Sequence, residues 1–75
     1  MKIIYDPTVD VLRILFQDVP IVESDEDETG IIFDFDQDGN VVGLEILDAS
    51  QRIDNPQSMN YTIALPSSHL ITVKS

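Results

Sequence analysis

The chain has 75 residues, and its fourteen Asp and Glu against four Lys and Arg give a formal charge of −10. This length fits one domain over residues 1–75, and a hydrophobic content of 43% is typical of a globular chain rather than a disordered one. Because there is no Cys, disulfides, thiol nucleophiles and Cys-based metal centres are excluded. The negative charge argues against nucleic acid and anionic membranes as partners, since both carry the same sign.

The N-terminal apolar run is short. Ile3-Ile4-Tyr5 is stopped by Asp6-Pro7, which leaves too few apolar residues for the core of a signal peptide. The other apolar runs are far shorter than a membrane span. We therefore expect a cytoplasmic location.

The first two apolar segments predict a hairpin with strands at about residues 3–5 and 11–16. The intervening Asp6–Asp10 has turn chemistry, with Pro7 fixing φ. Pairing Tyr5 with Leu12 would give one face Met1, Ile3, Tyr5, Leu12, Ile14 and Phe16, and the other face Ile4, Val11, Arg13 and Leu15. The second set is too apolar to be fully exposed, so we expect the C-terminal segment or a second subunit to cover it.

An acidic segment follows the break at Asp18-Val19-Pro20, with a brief edge strand expected at Ile21-Val22. Residues 23–28 carry five carboxylates among six positions. A solvated, mobile loop held open by like charges is the first interpretation. The alternative is an acidic surface that binds a basic partner.

Residues 31–47 contain the clearest structural signal. Alternating strands at about 31–37 and 40–47 flank Asp38-Gly39, which predicts a two-residue type I′ hairpin turn. That turn pairs Phe35 with Val42, and one face of the hairpin becomes wholly apolar. A slip of one residue would mix apolar and acidic side chains on both faces.

The pattern weakens after Leu47. Residues 48–53 are compatible with one helical turn capped by Asp48, and further strands are expected at 61–65 and 69–73. The fold class predicted is mainly β: a small antiparallel sheet built from hairpins.

A calcium-loop pattern overlaps the hairpin. Asp34, Asp36, Asp38 and Glu45 match the spacing of EF-hand ligands, with Gly39 at the loop's glycine position. Helices should flank such a loop, whereas these flanks have the period-two pattern of strands. A hairpin would also hold the carboxylates too far apart to share one ion, so no metal ligands are assigned and calcium binding is the alternative.

No constellation of catalytic residues is apparent. His69 is the single histidine and lies among apolar residues, where a structural or surface role is the usual one. A domain of this size also has little volume for a substrate pocket. We expect no catalytic residues, no cofactor and no enzyme activity.

Two blocks of the sequence resemble a known family. Met1-Lys2-Ile3-Ile4-Tyr5-Asp6-Pro7 with Asp10–Ile14, and then Gly30–Ser50 with its Asp38-Gly39-Asn40 turn, are similar to the domain of unknown function 2283 family of small bacterial proteins. The resemblance covers about residues 1–50; Arg13 and Leu15 depart from the usual order on their strand. It implies a compact β-rich unit, without a known activity or cofactor. Some members are encoded beside small toxin-like proteins, which favours partner binding.

Together these observations predict an uncharacterised, non-enzymatic β-rich module that self-associates, with a dimer as the main expectation, or binds a protein partner. Calcium binding through residues 34–45 is one alternative. The other is an acidic, antitoxin-like neutraliser whose residues 23–28 cover a basic protein partner.

Overall fold

A computed structural model describes residues 1–65 of the chain. Its elements are β1 (Lys2–Asp6), β2 (Val11–Leu15), β3 (Glu23–Glu26), β4 (Ile31–Phe35), β5 (Val41–Leu47) and a short helix α1 (Ala49–Arg52). The strands form one antiparallel sheet in the order β1-β2-β5-β4-β3. The mainly β class is therefore confirmed, as a single open sheet.

The chain reaches this order by one long connection. After β2, residues 16–22 cross to the far edge of the sheet, and β3, β4 and β5 then return strand by strand until β5 lies beside β2. This is the Greek-key arrangement, in which three strands joined by hairpins are followed or preceded by a long connection.

The first hairpin has the register expected from the sequence. Tyr5 is paired with Leu12 and Ile3 with Ile14. The alternation of apolar residues is what selects this pairing, since a shift of one residue would move every side chain to the opposite face.

The second hairpin has the expected register over most of its length. Ile31 pairs with Ile46 and Phe33 with Leu44, but Phe35 pairs with Val41 instead of Val42. The register shifts by one residue after Asp34, so β5 contains one extra residue at this point, which is the definition of a β-bulge.

The bulge accompanies a turn that differs from the one predicted. Gly39 has φ +83°, but Asp38 does not have a positive φ, so the type I′ turn is wrong. The amide of Gly39 donates to the carbonyl of Asp36, and the amide of Asp36 donates to the carbonyl of Asn40. The connection is thus a three-residue loop, in which a type I turn is followed by a left-handed glycine.

The acidic segment is another correction. Residues 23–26 form strand β3 on the edge of the sheet, paired with β4, rather than the loop predicted for 23–28. The strand begins one residue after the predicted Ile21-Val22 pair, with the amide of Val22 donating to the carbonyl of Phe35. Residues 23–26 form a strand because their backbone hydrogen-bonds to the apolar strand β4. The acidic composition of residues 23–28 gives no indication of that pairing.

The C-terminal prediction is only partly confirmed. The helical turn expected near 48–53 is α1, but residues 61–65 are not a strand and are exposed. Alternation alone predicted that strand, and within residues 1–65 no strand pairs with it. The strand predicted at 69–73 and His69 lie outside the described residues. No helix in residues 1–65 is long and apolar enough to cross a membrane.

Candidate functional site

The two faces of the sheet differ in chemistry. Cross-strand partners share a face, so the pairings Ile3–Ile14–Leu44–Phe33 and Tyr5–Leu12–Ile46–Ile31 define one continuous apolar surface. We call this surface the apolar face; with Phe35 at its end it comprises Ile3, Tyr5, Leu12, Ile14, Ile31, Phe33, Phe35, Leu44 and Ile46. The opposite surface is called the second face.

The exposure of the apolar face can be followed residue by residue within residues 1–65. The members named above are half-buried or exposed. Val42, which alternates with Leu44 and Ile46 on β5 and follows the β2–β5 pairing opposite Phe16, lies on the same side and is 1% exposed. Residues 56–59 lie beside Ile3, Tyr5 and Leu12 at the β1–β2 end, where they line a shallow depression.

The second face carries a polar cluster in the middle of the sheet. It runs across four strands from Arg13 on β2 through Glu45 and Asp34 to Ser24 on β3. Arg13 and Glu45 are directly paired, with Nε and Oε1 3.9 Å apart. The Ser24 hydroxyl donates to Asp34 Oδ1 at 2.6 Å.

Asp34 is the most unusual member of this cluster. Its side chain is 0% exposed, and its Oδ2 has no hydrogen-bond partner. Gly43 lies opposite on β5. A Cβ on Gly43 would come within 3.3 Å of both Asp34 Oδ2 and Leu15 Cδ2, so these two side chains occupy the space above the glycine.

Glu45 is the acidic side chain that interacts with Asp34. Burial, followed by hydrogen bonding to Asp34 and repulsion from its charge, raises the pKa of Glu45 above the ordinary value of 4.5, and Arg13 partly opposes this. A proton shared between the two carboxyl groups would satisfy an acceptor that is otherwise unpaired and costly to bury.

The carboxylates of the calcium-loop pattern are not assembled into a site. Asp34 is buried on the second face, whereas the Asp36 carboxylate accepts hydrogen bonds from the amides of Asp38 and Asn40 within the turn. These bonds, led by that from Asn40, hold the pKa of Asp36 below its ordinary value. No group of three or more His, Cys, Asp or Glu within residues 1–65 is placed to hold a metal ion.

A second polar centre fixes α1 to the first hairpin. Asp10 has φ 57°, and its carboxylate accepts hydrogen bonds from the Tyr5 hydroxyl, the Ser50 amide and the Ser50 hydroxyl. Asp48, predicted to cap this helix, makes no side-chain cap hydrogen bond. Asp10 therefore performs the capping role from 40 residues away, which is a separation that a local sequence motif cannot reveal.

Comparisons with known proteins give a family and no function. A family profile described as "Protein of unknown function (DUF2283)" matches residues 2–50. Neither the comparison with curated proteins nor that with solved structures returned a match. The matched residues include β1 to β5 and the beginning of α1, so the match spans the whole described sheet. The chain belongs to the DUF2283 family of proteins of unknown function.

Proposed function

We propose that this chain is a non-enzymatic interaction module that binds protein through its apolar face. The single observation that carries the proposal is an apolar surface that extends across the sheet and whose named members are half-buried or exposed. Contiguous apolar surface of this extent on a small protein is typical of a protein-binding site.

The charge distribution supports this assignment of the surface. The middle of the sheet contributes apolar side chains to this face. The acidic side chains of Glu23 and Asp25 lie on the same side but only at the β3 edge, where they are paired with Phe35 and Phe33, respectively. An apolar centre with a polar margin is the usual organisation of a protein interface.

The test uses a matched pair of substitutions on β1. Ile3 and Ile4 are adjacent, 36% and 38% exposed, and point to opposite faces of the sheet. Ile3→Glu should remove association with protein, either self-association seen by light scattering or binding of a co-purifying partner, and Ile4→Glu should preserve it. A folded wild-type monomer that associates with no protein would contradict the proposal.

A second candidate is binding of a basic protein by β3. All four residues of this edge strand are exposed and three are acidic, Glu23, Asp25 and Glu26. Replacing these three with their amides should weaken capture of a basic partner, whereas the same number of amide replacements at Asp18, Asp38 and Asp54 should not. Equal capture by both triple variants would exclude this candidate.

A further inference from the structure

The two edges of the sheet differ in the way they carry charge. β3 forms one edge and β1 the other. Three of the four residues of β3 are acidic, and charge of this kind keeps an edge strand from pairing with another chain. β1 carries charge only at its ends, with the sequence Lys2-Ile3-Ile4-Tyr5-Asp6, and four of these five residues are exposed. The middle of β1 therefore lacks the charged side chains that protect β3.

The hydrogen-bond ladder shows which backbone groups of β1 point away from the sheet. The amide of Phe16, directly after β2, donates to a carbonyl of β5. Because amides alternate in direction along a strand, the amide of Arg13 points the other way, toward its partner Ile4 on β1. The amides and carbonyls of Ile3 and Tyr5 then point outward from the edge. In the described part of the chain, no hydrogen-bond partner reaches these outward groups.

The sequence of β1 is complementary to itself when two such strands run antiparallel. With Ile4 opposite Ile4 of a second copy, Lys2 lies opposite Asp6 at both ends. The same register places Ile3 opposite Tyr5, so each outward amide of one copy meets an outward carbonyl of the other. Opposite charges in directly paired positions stabilise a sheet, whereas β3 paired with itself would bring acidic side chains together.

Other registers of two β1 strands lose these pairings. A shift of one residue would place the outward backbone groups of one copy opposite inward groups of the other. A shift of two residues would place Lys2 or Asp6 opposite Ile4 and leave its charge without a partner. Pro7 follows Asp6 and has no amide to donate, so the ladder ends at Asp6. The sequence therefore favours one register.

We propose that β1 pairs antiparallel with β1 of a second copy of this chain, about a two-fold axis that passes through Ile4. The same strand serves both copies, as in other two-fold symmetric interfaces, and one sheet runs through the dimer. Because Ile3 and Tyr5 belong to the apolar face, the apolar faces of the two copies become continuous. The pairing uses the backbone edge of the sheet rather than its apolar face, so it stands apart from the proposed function.

The first experiment is on the wild-type protein. Sedimentation velocity over the micromolar range should show a dimer. The amides of Ile3 and Tyr5 should exchange with solvent more slowly as the protein concentration rises, whereas the amide of Ile4, which is bonded to β2, should change less. Isotope-filtered NOE spectra of a mixed labelled and unlabelled sample should join Ile3 of one copy to Tyr5 of the other. A dimer without these contacts would overturn the proposal.

The second experiment uses the charges at the two ends of β1. Lys2→Glu alone, and Asp6→Lys alone, each place like charges opposite one another at both ends of the paired strands, so each should weaken the dimer by about tenfold or more. A mixture of the two variants restores opposite charges at both ends and should form a mixed dimer of nearly wild-type affinity.

The mixed sample separates paired charges from general effects of charge. Lys2→Glu makes the chain more negative and Asp6→Lys makes it less negative, so a change in long-range repulsion would move the two variants in opposite directions. Asp6 also accepts a hydrogen bond from the Thr8 amide, so the recovery on mixing is the decisive result. Asp54→Lys, at an exposed position outside the sheet, is the control and should not weaken the dimer.

The outcomes distinguish the β1 pairing from binding through the apolar face. A wild-type monomer, or variants that associate no better when mixed than alone, would overturn the pairing and leave the proposed function intact. NOEs that join residues 66–75 to the outer edge of β1 in the same copy would also overturn the pairing. A dimer paired through β1 that binds no further protein would support the pairing and contradict the proposed function.

Discussion

Gly43 shows how closely β2, β5 and β4 approach on the second face. A Cβ at this position would meet the Ile14 carbonyl oxygen at 3.0 Å and both Asp34 Oδ2 and Leu15 Cδ2 at 3.3 Å. The backbone oxygen cannot move without disturbing the β2–β5 ladder. Gly43 is required because a larger residue would fill the space above the sheet that the Asp34 and Leu15 side chains occupy. Asp34 can be buried there because Gly43 has no side chain.

We predict that Gly43→Ala destabilises the fold by about 1–3 kcal/mol, the usual cost of overpacking a closely packed site. Chemical denaturation provides the measurement. Gly39→Ala is the control for the loss of a glycine: nothing lies within 4 Å of a Cβ there, so only the strain of a left-handed residue, about 1 kcal/mol, is expected. A smaller effect at Gly43 than at Gly39 would contradict the packing argument.

Glu45 makes the free energy of unfolding depend on pH in a direction that can be stated. Its pKa is raised in the folded state, so the folded protein holds this proton more tightly than the unfolded chain. The resulting stabilisation is fully present below the ordinary pKa of 4.5 and is lost as the pH rises through the raised value.

We predict that Glu45→Gln weakens the gain in Tm that accompanies mild acidification of the wild-type protein. The amide keeps a donor for Asp34 at every pH, so it replaces the shared proton. Glu23→Gln, on the exposed strand β3, removes the same charge and is the control for general repulsion. The same pH profile in Glu45→Gln and Glu23→Gln would show that the shared proton has no effect.

At the scale of elements, α1 depends on a contact that is distant in sequence. With only four residues, this helix is too short to be stable alone. It is held by the Ala49 amide, which donates to the Asp10 carbonyl, and by the two hydrogen bonds from Ser50 to the Asp10 carboxylate. The turn between β1 and β2 therefore determines the position of α1.

We predict that Asp10→Asn lowers the Tm at neutral pH. Asn tolerates the left-handed backbone but accepts fewer and weaker hydrogen bonds. The hydrogen bond from the Ser50 hydroxyl, then that from Tyr5, holds the pKa of Asp10 below its ordinary value of 3.8. The associated stabilisation is present above pH 3.8 and is lost as the pH falls through the lowered value.

Thermal melts of the wild-type protein and Asp10→Asn at neutral and strongly acidic pH measure this effect. The Tm difference should shrink in acid, where the wild-type carboxylate is protonated. Asp18→Asn removes one exposed carboxylate elsewhere and should cause little change in Tm. A difference in Tm that stays constant with pH would contradict the role of the ionised Asp10.

For the whole molecule, charge opposes the association that the apolar surface favours. Eleven acidic residues and no Lys or Arg lie between Arg13 and Arg52. In the structure, most of these acids lie on the edge strand β3, in the turns on either side of β4 and on the second face. The apolar face is therefore largely free of charge, but two approaching copies still repel at long range.

We predict that added salt strengthens self-association of the protein through its apolar face. Raising the ionic strength from about 0.01 M to 0.1 M shortens the Debye length from about 30 Å to 10 Å, so repulsion between two copies should be screened while apolar contact persists. Sedimentation equilibrium at several NaCl concentrations measures the dissociation constant, with a sulfate series as a control for ion identity. A dimer that weakens with salt would indicate attraction between opposite charges instead.

Much of the sheet could be predicted because alternation of side chains is a local property. The apolar alternation in β1, β2, β4 and β5 selected the pairings of Tyr5 with Leu12 and Phe33 with Leu44, both of which the structure confirms. The same reasoning failed at the β4–β5 turn, since Asp38-Gly39 is compatible with both a two-residue and a three-residue loop. The choice depends on backbone φ at Asp38, which composition does not specify.

The polar cluster could be predicted only in part. The sequence placed Asp34 opposite Gly43, but its burial requires Leu15 from β2 and Ser24 from β3, which come from other parts of the chain. The calcium pattern failed for the same reason, because strand geometry directs its carboxylates to different places.

The sequence by itself determined the charge, the β class, the first hairpin register and the resemblance over residues 1–50, since each follows from composition or from short-range periodicity. Only the tertiary structure decided that residues 23–26 are an edge strand, that β5 lies between β2 and β4, and that Asp10 caps α1. These features depend on which distant segments meet, and hydrogen bonding and burial between such segments are properties of the folded chain.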